Sequence, residues 1–242
     1  MEIPWGFFFN KMHFFLDLEF DPEHGLLNPE ESKHASRVLR LKEGDEILIG
    51  DGKGVRYRAA ISQISKQDVK VKVLEKKNFP KPLHRVRVAL SPTKNLNRFE
   101  WFLEKATELG VSEIVPLISK RTERARIKDE RSLKIILNAA KQSQRAFVPI
   151  LRPTTLFADL LNSEINGGLI AHCINEKNRE TIEVDPEGSE SLILIGPEGD
   201  FTLEEVERAE EAGFKGVTLN ENRLRTETAG ILAVAMLQMS SR

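Results

Sequence analysis

Leu192-Ile193-Leu194-Ile195-Gly196-Pro197-Glu198-Gly199-Asp200-Phe201-Thr202-Leu203-Glu204-Glu205-Val206 decides the fold. Four consecutive apolar residues ending at glycine and proline predict a buried strand that stops abruptly. Thr202 and Glu205 have the spacing of a capping box, and Phe201 and Val206 that of a hydrophobic staple, so a helix is predicted to open at once. The loop between is short and held from its helical side. Gly196 and Gly199 permit close approach of a ligand to the backbone, and Pro197 restricts the chain between them. On Gly196-Pro197-Glu198-Gly199 alone, an ordinary strand-to-helix turn is the favoured reading.

The same alternation extends in both directions. Strand-like runs at 84–90, 113–118, 168–173, 191–195 and 216–219 are separated by helical patterns at 95–109, 130–146, 155–162, 202–212 and 226–239. This ordering predicts an α/β unit with a mainly parallel sheet. Ligands bind such sheets at the carboxyl ends of the strands. Upstream the pattern differs. A first strand is expected at Met12 to Leu16, a short helix at 29–41 with Pro29 early in it, and β-rich runs at 45–49, 55–64 and 69–74. Asp51-Gly52-Lys53-Gly54 supplies the permissive residues of a hairpin. Lys76-Lys77-Asn78-Phe79-Pro80-Lys81-Pro82 breaks the periodicity, which puts the boundary near residue 80. The division expected is therefore 1–11 as an extension, 12–80 as a small β-rich domain and 81–242 as the α/β domain. The aromatic stretch within the first twenty residues lacks a cationic start and a small-residue cleavage pattern and is interrupted by Lys11 and His13, so it is not read as an export signal.

Composition narrows the chemistry. At 242 residues and 40% hydrophobic, the chain has enough apolar material for a core but no apolar run of membrane-spanning length. The single cysteine, Cys173, excludes an intrachain disulfide and fits a cytoplasmic setting. The five histidines show no metal-ligand spacing, and neither G-x-G-x-x-G nor G-x-S-x-G occurs. No metal and no membrane partner are expected. Lys+Arg 36 against Asp+Glu 37 argues at first against a polyanionic partner. The total conceals segregation. Residues 119–152 carry ten basic against three acidic side chains, and residues 200–212 one against six. A second basic region runs from Lys66 to Arg87. Solvated faces account for either patch alone; together they fit a bound nucleic acid.

Two further segments hold candidate functional groups. Leu219 to Ala229 passes from a strand end into a helix, with Arg223, Arg225 and Glu227 at the start and Thr226 as a candidate cap. It is either a reader of a base carbonyl or phosphate, or a salt-bridged turn. Gln142, Ser143 and Arg145 close a helical pattern and suit either nucleotide contact or simple solvation.

Glu104-Lys105-Ala106-Thr107-Glu108-Leu109-Gly110-Val111, Gln142-Ser143 with Arg145, Ile195-Gly196-Pro197-Glu198-Gly199 and Leu224-Arg225-Thr226-Glu227-Thr228-Ala229, in this order, resemble the RsmE family from about Met12 onward. The resemblance implies a SPOUT-type knotted α/β domain with a mainly parallel sheet and a carboxyl-terminal knot. It also implies a small PUA-like, RNA-binding amino-terminal domain and a homodimer. The implied activity is S-adenosylmethionine-dependent methylation of uracil N3 in 16S rRNA of the 30S subunit. Ribose 2′-oxygen or tRNA methylation, and RNA binding without catalysis, are the rival readings. Three positions depart from the family pattern: Asn220 and Asp200 stand where glycine is common, and Lys141 where glutamate is.

The resemblance also assigns roles. His172, Cys173, Ile195, Gly196, Pro197, Glu198, Gly199, Leu219, Asn220, Leu224, Thr226 and Ala229 would bind the methyl donor. Arg37, Arg40, Arg121, Arg124, Gln142 and Arg145 would face RNA. Uracil N3 carries a proton and is a poor nucleophile until that proton leaves. Arg225 would stabilise charge developing on a uracil carbonyl, and Glu227 would accept or orient the proton or serve as a structural cap.

Overall fold

The computed structural model describes residues 12–65, 67–163, 167–174, 179–182 and 190–240. The expected extension at 1–11 and Lys66 of the second basic region lie outside the described residues. The chain forms two compact units, one made of residues up to Lys81 with Ala140–Val148, the other of Pro82–Ala139 and Pro149–Arg242.

In the first unit, β1 (His13–Leu16) pairs parallel with β2 (Glu46–Gly50), which continues antiparallel to β3 (Val55–Ile64) and β4 (Val69–Asn78). Alternating residues of these strands, Ile47, Ile49, Tyr57, Ala59, Ile61, Val69 and Val71, pack with Phe15, Phe20 and Leu27 into one core. The predicted hairpin is present: the Asp51 carboxylate accepts the N–H groups of Lys53 and Val55, with Gly52 and Gly54 at positive φ.

The helix expected over 29–41 is only partly α-helical. Asn28 caps α1 (Pro29–Lys33), and the chain then widens into a π-helical turn at His34–Val38. There the Leu39 N–H reaches the His34 carbonyl and the Leu41 N–H reaches that of Ala35. The widening turns Leu39 and Leu41 onto the core and leaves Val38 67% exposed.

The domain division also differs from a single cut near residue 80. Ala140–Val148 returns to the first unit, because its backbone completes groups on the β2–β3 hairpin. Gly54 N–H donates to Ala146 O, Val148 N–H to Gly52 O, and Arg56 Nη2 to Gln144 O at 2.7 Å. The Arg56 guanidinium lies between the rings of Phe14 and Phe79, and burial lowers its pKa. Lys141 Nζ meets both oxygens of the buried Glu31 at 2.8 and 2.6 Å. Lys141 is one of the three departures noted above, and this ion pair is its local use.

The second unit is a parallel sheet. Its strands are β5 (Arg85–Leu90), β6 (Glu113–Ile118), β7 (Ile150–Leu151), β8 (Thr155–Leu156), β9 (Gly168–Ala171), β10 (Glu180–Thr181), β11 (Glu190–Ile195) and β12 (Phe214–Thr218). They run in the order β10-β12-β9-β11-β5-β6-β7, with β8 on β6, and every pairing between them is parallel. The helices are α2 (Leu96–Leu109), α3 (Asp129–Gln142), α4 (Phe157–Leu161), α5 (Leu203–Glu211) and α6 (Thr226–Ser240). The helix expected at 155–162 therefore begins as a two-residue strand. That at 130–146 ends at Gln142, where the chain turns at Gln144 (φ 51). Ala89, Leu192 and Leu194 pack with Phe157, Phe201, Val206 and Phe214. Gly230 of α6 sits so close to Leu90 and Phe102 that a Cβ there would come within 2.3 Å of Leu90 Cδ1. At Gly110 (φ 98) α2 stops, as expected, and the Gly110 carbonyl accepts from Gln238 Nε2. Since the strands are parallel, the carboxyl ends of β9, β11 and β12 share one edge.

Candidate functional site

A cavity of about 550 Å³ opens at that edge, within the size range of small-molecule sites. Each of three loops contributes a wall. His172 and Cys173 follow β9; Ile195, Gly196, Pro197, Glu198 and Gly199 end and follow β11; Leu219, Asn220, Leu224, Arg225, Thr226 and Ala229 follow β12 into α6. Every residue assigned above to the donor lines this one space, as does Arg225. Glu227, Arg124, Gln142, Arg145, Arg37 and Arg40 do not line it.

The loop after β11 is built as its sequence predicts at the helical end. Thr202 and Glu205 form the capping box, and Phe201 and Val206 are both fully buried. Space at Gly196 is tight, because a Cβ there would lie 3.1 Å from the Phe201 ring and push it by a few tenths of an ångström; at Gly199 it would meet only ordinary contact with Arg121. Asp200, one of the positions without glycine, adopts φ +64. Its carboxylate accepts from Cys173 N–H at 2.7 Å and from Phe201 N–H at 2.8 Å.

Arg121 also serves this loop. Its Nη1 donates to Gly199 O at 2.8 Å and to Phe201 O at 3.4 Å, and the neighbouring Lys120 N–H donates to Glu205 Oε1 at 2.7 Å. Lys120 Nζ pairs with exposed Glu204, whose carboxyl pKa it lowers. Arg124 Nε donates to Lys94 O, and Lys94 N–H to Glu198 Oε1. Much of the basic tract after β6 is thus engaged with the protein's own loops. The tract's charge was legible in the sequence; its use as scaffolding depends on contacts 78 to 85 positions away.

Glu227 and Arg225 part company. Arg225 is exposed at the cavity, with no side-chain partner among the described residues; its carbonyl accepts from Ala229 N–H, which makes Arg225 the capping residue just before α6. The capping position thus falls one residue before Thr226. Glu227, 5% exposed, faces α2, where its Oε1 lies 3.7 Å from Arg98 Nε and its Oε2 has no hydrogen-bond partner among the described residues. Arg145 is half-buried, and burial lowers its pKa, whereas Gln142, Arg37 and Arg40 are exposed on the first unit. Arg179 and Asn222 line the cavity without having been singled out from sequence; Arg179 Nη1 donates to the His172 carbonyl. Nothing local marks Arg179, because its partner is a backbone atom. Among the described residues no group of His, Cys, Asp or Glu side chains is arranged to hold a metal, and no helix is long and apolar enough to cross a membrane.

Comparison with known proteins agrees with this architecture. Residues 79–238 match the model of an RNA methyltransferase domain, and residues 27–74 that of an RNA methyltransferase PUA domain. The ribosomal RNA small subunit methyltransferase E of Bacillus subtilis is 32% identical, over 86% of this chain and 87% of its own. That of Aquifex aeolicus is 30% identical over 93% and 99%. Among solved structures, a probable rRNA-methyltransferase from Porphyromonas gingivalis superposes with TM-score 0.86 at 37% identity, covering 96% of this chain and 100% of that one. A ribosomal RNA small subunit methyltransferase E from Neisseria gonorrhoeae, bound to S-adenosyl methionine, superposes with TM-score 0.82 at 29% identity over 94% and 97%. With its α/β domain and PUA domain both matched, the chain belongs to the ribosomal RNA small subunit methyltransferase E family.

Proposed function

We propose that this protein transfers the methyl group of S-adenosylmethionine to N3 of a uridine in 16S rRNA of the small ribosomal subunit. The observation that carries the proposal is the convergence of the loops after β9, β11 and β12 on one cavity with the exposed guanidinium of Arg225 at it. The donor-bound relative from Neisseria gonorrhoeae supports the identity of the ligand. The residues suit it: Gly196 lets the backbone close tightly, and the cavity combines apolar side chains with loop backbone.

When bound, the donor supplies a sulfonium-activated methyl group. N3 would form the new bond to carbon as the carbon–sulfur bond breaks and leaves a neutral thioether, and the N3 proton would pass to solvent. Loss of that proton leaves charge shared between N3 and the adjacent carbonyl oxygens, where the Arg225 guanidinium stabilises it. A proton-accepting role for Glu227 has weaker support, since its carboxylate faces Arg98. The RNA would be gripped by Arg37, Arg40, Gln142 and Arg145, all on the PUA-bearing unit. Cytoplasmic location, a homodimer and a carboxyl-terminal knot belong to the same proposal. The nearly all-apolar α6, with Met239 75% exposed, fits a contact between copies.

The decisive experiment is incubation with labelled donor and undermethylated 30S subunits, followed by location of the modified nucleoside. 3-Methyluridine in 16S rRNA is expected. Label on ribose 2′-oxygen or tRNA would favour a different methyltransferase, and RNA binding without incorporation a noncatalytic protein.

A further inference from the structure

The ladder between β9 and β11 runs Ile193 to Leu169, Leu194 to Ile170 and Ile195 to Ala171, and ends there. Past those residues the two segments form separate walls of the cavity. Asp200 carries the link onward. Its Oδ2 accepts from Cys173 N–H at 2.7 Å, its Oδ1 from Phe201 N–H at 2.8 Å, and its own N–H donates to Pro197 O at 2.9 Å. The residue does this from φ +64, a conformation that side chains other than glycine seldom adopt, although aspartate tolerates it better than most. The flanking carbonyls of Gly199 and Phe201 both accept from Arg121. Asp200 and Cys173 line the same cavity.

We propose that Asp200 is a positioning residue that sets the spacing of the walls after β9 and β11, and thereby the affinity for the methyl donor. This rests on the reading of the cavity as the donor site. Glycine at this position would relieve the backbone and delete the bridge, which separates the two effects. If left-handed geometry were all that mattered, Asp200→Gly would bind the donor as well as the parent or better. If the bridge matters, it binds more weakly. Asparagine tolerates the same backbone and keeps one acceptor, so Asp200→Asn should fall between them.

The test measures S-adenosylmethionine affinity by calorimetry, KM for the donor against kcat, ligand-free melting, and amide exchange at Cys173 in all three proteins. In Asp200→Gly, KM and Kd should rise about tenfold, the loss expected for one charge-assisted hydrogen bond. Its kcat at saturating donor should stay within about twofold of the parent, because the bridge touches no reacting atom. Melting should be unchanged or raised, Cys173 exchange should be faster, and Asp200→Asn should restore part of the affinity. Unchanged KM in Asp200→Gly, or a loss confined to kcat, overturns the proposal. If the parent itself binds no donor, the reading of the cavity fails instead. Cys173 exchange then decides the bridge alone: unchanged exchange in Asp200→Gly removes it, and faster exchange retains it.

Discussion

Arg121 Nη1 donates to the carbonyl oxygen of Gly199 at 2.8 Å, so a basic side chain following β6 braces the loop that follows β11. Its exposed guanidinium commits its Nη1 to the loop's carbonyls. Arg121→Ala should therefore raise KM for the donor by about tenfold while leaving the salt dependence of RNA binding unchanged. Arg37→Ala and Arg40→Ala, on exposed positions of the other unit, should each reduce the slope of log K against log salt by about one. Titrating rRNA at several salt concentrations checks both. A shallower slope for Arg121→Ala would return that residue to the RNA interface.

Arg225 is exposed at the cavity with no side-chain partner among the described residues, so its removal leaves no buried group stranded. Arg225→Ala should lower kcat by about a hundredfold or more, the usual loss for one donor to a developing oxyanion. Donor affinity should change by less than about threefold, since uniform binding is not its task. Calorimetry with the donor and single-turnover methylation of 30S subunits separate the two. Collapse of donor affinity would reassign Arg225 to donor binding.

Glu227 tests the other half of the pair. Its carboxylate is buried against α2 and outside the cavity lining, with Arg98 3.7 Å away. Glu227→Gln should keep kcat within about threefold and leave its pH profile unmoved, as expected of a residue that is not a general base. A loss of about a hundredfold with the acid limb of the profile altered would restore the proton-accepting role.

The strand, loop and helix from Leu192 to Val206 were legible because their devices are local: an apolar run, glycine and proline, and a cap and staple within five residues. The walls of the cavity were legible for the same reason, each being a strand end with a recognisable turn. What escaped is long-range. Nothing near Arg121 shows that it meets Gly199, and nothing near Ala140–Val148 shows that its backbone bonds pair with Gly52 and Gly54. The widened turn after Lys33 escaped for a different reason. Ala35, Val38, Leu39 and Leu41 satisfy a helical period on paper, and only the shape of the core selects Leu41 over Val38.

Gly54 offers a direct measure of how firmly Ala140–Val148 is attached. It stands at φ +107, and a Cβ there would come within 2.5 Å of the Phe147 ring. Gly54→Ala must both strain the backbone and displace the ring, costing about 2 kcal/mol or more. Urea unfolding should show the loss, and Gly44→Ala makes the comparison, because Gly44 (φ +93) has nothing within 4 Å of an added Cβ. The Gly44 variant should lose only the backbone part. Equal losses would show that Phe147 moves aside freely.

Glu113 ties acid stability to the sheet. Its carboxylate, 1% exposed, meets Arg87 at 2.8 Å and Arg152 at 2.7 Å across neighbouring strands. Burial alone raises its pKa, but the hydrogen bonds and charges of Arg152 and Arg87 outweigh that and bring the net value below the ordinary 4.5. A carboxylate with a depressed folded pKa contributes stability that is complete above the unfolded value and is lost as pH falls through the folded one. The urea midpoint should therefore hold from pH 7 down to about 5 as far as this group is concerned, then decline below 4.5. Glu113→Gln should lower stability at pH 7 by about 1 to 2 kcal/mol, since two charge-assisted pairs are lost while Arg152 keeps solvent and Arg87 keeps Glu190. It should also shallow the acid decline, because the variant has no proton to take up there. A variant whose midpoint falls with acid as steeply as the parent's would show that Glu113 is not the group linking folding to pH.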